Sequence, residues 1–267
     1  VGVNRVSLGV QSFDDEVLAF LNRNHSAEQV EMAYSNLREV GIDNINMDLI
    51  YGIPNQPLDV WRDNLNKLIE LKPNHISAYA LTIEDKTVFG NWQKKGKLPL
   101  VSEEQAAEQF EFMVAFLKEV GYEHYEVSNF ALPGQESKHN SAYWQQEHYI
   151  GIGPGAHSYD GRVRKFNVSN NASYIKSLSA NTLPCTQEVL SKKDLIHEYL
   201  LTGLRTKYGI SLDHMERHFD YALNPAQEKF IATIVEKGLA VDQSDSIVLT
   251  SSGLLIADSI IVELMPS

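Results

Sequence analysis

NRVSLGVQ, residues 4–11, is the stretch that decides the fold. Val6, Leu8 and Val10 alternate with Ser7 and Gly9, the two-residue period of a strand. The run stops on a polar side chain, Gln11. SFDDEVLAFLNR follows, in which Asp14 and Asp15 suit a helix start and Val17, Leu18 and Leu21 share one helical face. Gln11 is therefore expected at the C-terminal end of a strand, just ahead of a helix. Parallel α/β sheets bind their ligands at that end, and a buried amide there needs a hydrogen-bond partner.

The same construction recurs down the chain. NINMDLIY, residues 44–51, is apolar but for its asparagines and Asp48, and GIPNQP breaks the run with Gly52, Pro54 and Pro57. HISAYALTI, residues 75–83, is a third such run, ahead of Glu84 and Asp85. Helical patterns at 27–40 and 58–71 lie between the strands. Strand, helix, strand at this interval is the mark of βαβ units and a parallel sheet. Right-handed crossovers would set Gln11, Asp48 and the Tyr79–Ala80 region along one rim.

Composition narrows the function. The 267 residues carry 23 basic and 35 acidic side chains, a formal charge of -12, which argues against a phosphate-backbone binder. No apolar run approaches the ~20 residues of a membrane span, and no signal peptide opens the chain, so a cytoplasmic protein is expected, with at most peripheral membrane association. The one cysteine, Cys185, excludes an internal disulfide and a three-thiolate metal site, so no metal site is expected within these residues. The opening at Val1 and Gly2 runs straight into a buried-type strand and reads as the start of a fragment whose missing neighbours would leave a sheet edge exposed.

Further along, residues 89–100 read as a loop with a basic cluster. Ser102, Glu103 and Glu104 begin a long helix with Ala106, Phe110, Met113, Val114 and Leu117 on its apolar face and Gly121 at its end. Residues 122–130 read as one strand. Residues 137–161 crowd His139, Tyr143, Trp144, His148, Tyr149, His157 and Tyr159 together. His139 and Asn140 open a short polar turn, and Tyr143–Trp144 offer a flat apolar wall, which suits an aromatic ligand such as a nucleobase or porphyrin. A plain packing role at a domain junction is the alternative. GIGPG, residues 151–155, is weak as a phosphate loop because Pro154 removes a donor and no lysine follows. Beyond Asn167, helices at 173–179, 190–204, 212–219 and 225–237, a hairpin at 240–249 and a last helix resemble a winged-helix arrangement. Its acidic side chains Glu228, Glu236, Asp258 and Glu263 favour an accessory role over DNA reading.

GVQSF, NMDLIYGIPNQ, HISAYALTIE, YEHYEVSNFA, HNSAYW and GIGPGAHSY together resemble the radical S-adenosylmethionine proteins similar to oxygen-independent coproporphyrinogen III oxidase. HNSAYW, residues 139–144, resembles the heme-chaperone (HemW-type) branch in particular. The resemblance implies an α/β fold: the C-terminal half of a partial (β/α)6 radical SAM barrel over residues 1–165, then a helical, winged-helix-like domain over 166–267. It implies S-adenosylmethionine and a [4Fe–4S] cluster in the full-length parent, the cluster held by a CxxxCxxC loop that is absent here. The fragment alone is therefore expected to be inactive. By motif, Gln11, Arg23 and Asp48 match three cofactor contacts of the family, a set that in the coproporphyrinogen oxidases resembles the lining of a second S-adenosylmethionine site and whose ligand in a chaperone the resemblance leaves open, with Ala80 and His157 held more loosely. An arginine can clamp a carboxylate, an aspartate a ribose diol or an ammonium, and a glutamine amide both donates and accepts. An internal Asp48–Arg23 ion pair is the alternative. His139, with Asn140, Tyr143 and Trp144 around it, is the implied heme contact.

The function implied is a heme chaperone that passes heme to an apo-haemoprotein such as a respiratory cytochrome. The rival readings are a coproporphyrinogen III oxidase and a non-catalytic binding module.

Overall fold

The computed structural model describes residues 2–98 and 102–266. Val1 and the Pro99–Leu100 end of the 89–100 segment lie outside them. The chain packs as two compact units, Val1–Glu136 and Ser137–Ser267.

In the first unit the elements run β1 (Arg5–Gln11), α1 (Asp15–Phe20), α2 (Ala27–Glu39), β2 (Asn44–Tyr51), α3 (Leu58–Leu71), β3 (His75–Ala80), α4 (Val88–Lys94), α5 (Glu103–Glu119), β4 (Glu123–Glu126) and β5 (Asn129–Ala131). They form one sheet in the order β1-β2-β3-β5-β4. β1, β2 and β3 run parallel, and β5 and β4 continue antiparallel. Helix starts are written locally. Asp14 accepts hydrogen bonds from the amides of Glu16 and Val17, and Ser26 and Gln29 close a reciprocal capping box on α2. The α/β class and the parallel βαβ repeat follow from the alternation read above.

The two faces of this sheet differ in chemistry. Ile45, Met47, Leu49, Ile76 and Ala78 are buried on one face, as are Trp61, Leu65 and Leu68 of α3 and Phe110, Met113 and Leu117 of α5. Tyr51 joins the layers, its ring 5.9 Å from Trp61 and 6.2 Å from Phe110. Each large apolar side chain removed from water here contributes about 2 kcal/mol. The alternate residues, Ser7, Asn46, Asp48, His75 and Ser77, make the other face polar.

Two expectations are corrected in this unit. Residues 122–130 are a hairpin rather than one strand: Val127 and Ser128 turn the chain so that β5 can pair with β3. The 89–100 segment begins with α4, capped by the Thr87 hydroxyl on the Gly90 amide, where a loop was expected. Gly90 is required because a Cβ there would lie 2.2 Å from the Glu84 carbonyl oxygen. A glycine demanded by close approach had the look of a loop breaker.

In the second unit, α6 (Lys138–Trp144) precedes a three-stranded antiparallel sheet of β6 (His157–Tyr159), β7 (Val163–Asn167) and β8 (Cys185–Val189), with α7 (Asn171–Ser179) between β7 and β8. His139 and Asn140 thus lie in a helix, not the expected turn, with Ser137 capping the Asn140 amide. Residue 165, where the sequence places a boundary, sits inside β7. Then come α8 (Lys192–Gly203), β9 (Ile210–Ser211), α9 (Leu212–Phe219), α10 (Pro225–Glu236), β10 (Ala240–Asp242) and β11 (Ser246–Leu249). The sheet order β10-β11-β9 with three helices before the hairpin is a winged-helix-like arrangement. Its core joins Ile196, Leu200, Ile210, Met215, Ile234 and Ile247. The last helix is two: α11 (Ser251–Leu255) and α12 (Ala257–Leu264), divided at Ile256.

Candidate functional site

Gln11 ends β1 in a left-handed conformation, φ 66°, at a register shift that begins after Leu8. A side chain at positive φ costs of order 1 kcal/mol or more and marks a constrained position. The Ser12 amide donates to the Val10 carbonyl at 2.8 Å, and the His25 ring reaches the same oxygen at 3.1 Å. Arg23 follows α1, and its Nη2 donates to the Gly9 carbonyl at 3.4 Å. A Cβ on Gly9 would stand 2.9 Å from Gln11 Nε2 and 3.5 Å from Arg23 Nη2. The amide and the guanidinium therefore converge over Gly9, whose lack of a Cβ leaves them room in this placement.

Asp48 sits on the polar face of β2, paired in register with Ser77 of β3. Its carboxylate accepts from Ser7 Oγ at 3.1 and 3.3 Å and from Asn46 Nδ2 at 2.6 Å. Among the described residues no ion pair joins it to Arg23. Behind it runs a buried relay. His75 Nδ1 meets Asn46 Oδ1 at 2.6 Å, so this nitrogen carries the proton, and His75 Nε2 accepts from the Tyr125 hydroxyl at 2.6 Å. Burial, then the charge of Arg5, push the His75 pKa down to about 3, which keeps the ring neutral.

The polar row continues past Ser77 to Asn129 and Glu126 on β5 and β4. Asn129 Nδ2 donates to Glu126. Burial raises the Glu126 pKa to about 7, against the Asn129 hydrogen bond and a backbone hydrogen bond from Ser128. Gln11, Arg23 and Asp48 are thus brought to one face of one sheet, at and beside the C-terminal end of β1. Ala80 ends β3, exposed.

The second candidate group lies on α6. His139 is exposed, and its ring stands edge-on to Tyr143 one turn later, centroids 4.9 Å apart and planes at 90°. Tyr143, 45% exposed, in turn meets Tyr149 at 4.8 Å. Tyr143 and Trp144 line a cavity of about 250 Å³ together with Tyr149, Tyr159, Arg164 and Glu198. Arg164 and Glu198 close it with an ion pair at 2.6 Å. Asn140 contributes its amide to the cap of the helix. His157 opens β6, exposed, tilted over Phe166 at 5.7 Å. The sequence assigns no site role to Gly9 or Tyr149; the first was hidden inside a strand and the second among many aromatics.

The two cofactors implied by the resemblance fare differently against these residues. A [4Fe–4S] cluster takes cysteine thiolates. The sequence holds one cysteine, and among the described residues no group of three or more His, Cys, Asp or Glu side chains is arranged to hold a metal. These residues do not fit the cluster. The cation, amide and carboxylate at the end of β1 and on β2 do fit an aminoacyl nucleoside such as S-adenosylmethionine.

Residues 1–68 match the Radical SAM superfamily and residues 190–256 the HemN C-terminal domain. The chain is 38% identical over 258 residues to the heme chaperone HemW of Lactococcus lactis subsp. lactis (strain IL1403), covering 97% of this chain and 68% of that one. It is 36% identical to the heme chaperone HemW of Bacillus subtilis (strain 168), covering 97% and 69%. Against the mitochondrial radical S-adenosyl methionine domain-containing protein 1 of Mus musculus the identity is 32%, covering 99% and 63%. The solved coproporphyrinogen III oxidase (HemN) of Escherichia coli superposes with a TM-score of 0.79 at 24% identity, over 99% of this chain and 64% of that one, a likeness of fold. The chain therefore spans about two thirds of the length of these relatives. Matched along nearly all its residues at this identity, the chain belongs to the HemW-type family of radical S-adenosylmethionine proteins.

Proposed function

We propose that this chain holds heme reversibly on α6 and passes it to an apo-haemoprotein. The observation that carries the reading is the exposed His139 imidazole set edge-on to the half-exposed ring of Tyr143. A neutral imidazole nitrogen is a good axial ligand for heme iron, and an exposed one binds without first being freed from a buried network. The rings of Tyr143 and Trp144 supply apolar area for a macrocycle, and exposure keeps release open. The heme-chaperone names of the relatives support the same direction.

On this reading Gln11, Arg23 and Asp48 hold S-adenosylmethionine on the polar sheet face. Arg23 would clamp the carboxylate, Asp48 the ribose hydroxyls, and Gln11 would donate and accept between them. The bound group supplies a sulfonium nucleotide. The residues themselves orient it and fix its protonation environment through the Asn46–His75–Tyr125 relay.

Hemin titrated into the chain, followed by its Soret absorbance, is the test. The expected result is saturable binding that His139→Ala weakens by about tenfold or more, equivalent to about 1.4 kcal/mol. Unchanged affinity in that variant removes α6 as the heme site.

A further inference from the structure

Among the described residues, the polar sheet face carries an exposed aromatic ring that the relay does not use and to which the resemblance assigns no contact. Tyr79 stands on β3, opposite Ile50 of β2 in register, and is 45% exposed. Its hydroxyl end lies near Ser77 and Asn129, and burial is what raises its acid dissociation above the ordinary phenol range. A tyrosine set among buried polar groups while its body stays open presents a flat surface.

Its place in the row gives that surface a use. Gln11 pairs in register with Leu49, beside Ile50, and Ile50 pairs with Tyr79. Asp48 lies one step below on the same face as Ile50. Read from β1 to β3, the chemistry runs cation and amide (Arg23, Gln11), carboxylate and apolar floor (Asp48, Ile50), then aromatic ring (Tyr79). Neighbouring strands are about 4.8 Å apart, so the series spans about 10 Å. An aminoacyl nucleoside carries carboxylate, ribose and base in that same order. We propose that Tyr79 is the platform on which the base of an adenosine ligand stacks. This rests on the reading of the face as an S-adenosylmethionine site.

The test is calorimetric titration of S-adenosylmethionine and, separately, adenosine into the 267-residue chain and its variants. Proton spectra of the bound adenosine report on ring stacking. Tyr79→Phe is expected to keep both affinities within about twofold, because the ring remains. Tyr79→Leu is expected to weaken both ligands by about tenfold, within the range for base–aromatic stacking, and to abolish the upfield shift of the adenine H2 and H8 signals. Arg23→Gln is expected to weaken S-adenosylmethionine and leave adenosine unchanged. Tyr79→Leu binding both ligands as the parent does, or losing S-adenosylmethionine alone, overturns the stacking role while leaving the nucleotide site standing. An adenosine that binds the parent chain without the upfield shift does the same, and it needs no variant to fold. Absence of binding of either ligand to the parent chain overturns the site and the platform together.

Discussion

Gln11 shows how much a single residue can report. Its backbone lies at φ 66°, a region that favours glycine. Nothing in the packing of the apolar sheet face demands glutamine there, since the side chain sits on the polar face over Gly9. The fold therefore bears a strain that a ligand contact would justify. Gln11→Gly is expected to leave stability unchanged or raise it by about 1 kcal/mol, moving the thermal midpoint up by about 2–4 °C. The same change is expected to weaken S-adenosylmethionine binding. A thermal melt paired with a binding isotherm separates the two effects. A fall in the midpoint would mean that the side chain serves the fold and not a ligand.

At the scale of elements, the row Asp48–Ser77–Asn129–Glu126 crosses four neighbouring strands. Glu126 is 2% exposed and its pKa is raised by burial to about 7. A carboxyl whose folded value lies above its unfolded value binds its proton more tightly in the fold. Its contribution is complete below the unfolded value of about 4.5 and is lost as pH rises towards 7. Asn129 Oδ1 has no partner among the described residues. A neutral Glu126 supplies an O–H that this oxygen can accept once the amide turns over. His75 and His124, held neutral by burial with pKa values near 3 and 4, act in the opposite sense as pH falls below 6.5. The difference between parent and Glu126→Gln isolates the carboxyl. Denaturant unfolding at pH 4.5 and 8 is expected to show the parent losing stability relative to this variant, by an amount on the order of 3 kcal/mol. Equal pH dependence in the two would show that Glu126 is ionised at no cost. The strands of this row were readable where side chains alternate: β2 and α3 begin and end where the pattern said. The β6–β7–β8 sheet was not, because its strands are short and β8, CTQEV, is almost wholly exposed, leaving no apolar period to see. Gln11 and Asp48 were legible as polar breaks in apolar runs, and Arg23 only through the family resemblance. The strand pattern set the Tyr79–Ala80 region on the same rim, but HISAYA reads as a continuous buried strand and only the register places the Tyr79 ring on the polar face.

For the molecule as a whole, charge decides between two uses of the winged-helix-like region. The arrangement of α8, α9 and α10 before the β10–β11 hairpin puts α10 where a DNA-reading helix would stand. Such a helix needs a cationic footprint to neutralise phosphates. α10 carries Glu228 and Glu236 against Lys229, and Lys237 caps it, so its charges cancel. The chain around it carries a formal charge of -12. A polyanion approaching this surface meets net repulsion, and the entropy of released counterions that drives nonspecific binding is largely missing. The buried side is better supplied. Ile231 and Ile234 face the same core as Ile260 and Ile261 of α12, and Gln227 Nε2 donates to the Leu264 carbonyl at 2.7 Å. α10 is thus given over to packing, and an accessory role is the expectation. An electrophoretic mobility assay with a random duplex of about 30 base pairs is expected to show no complex at physiological salt. A complex that persists there, and whose affinity falls with the salt slope of several phosphate contacts, would return the region to nucleic-acid recognition despite its charge.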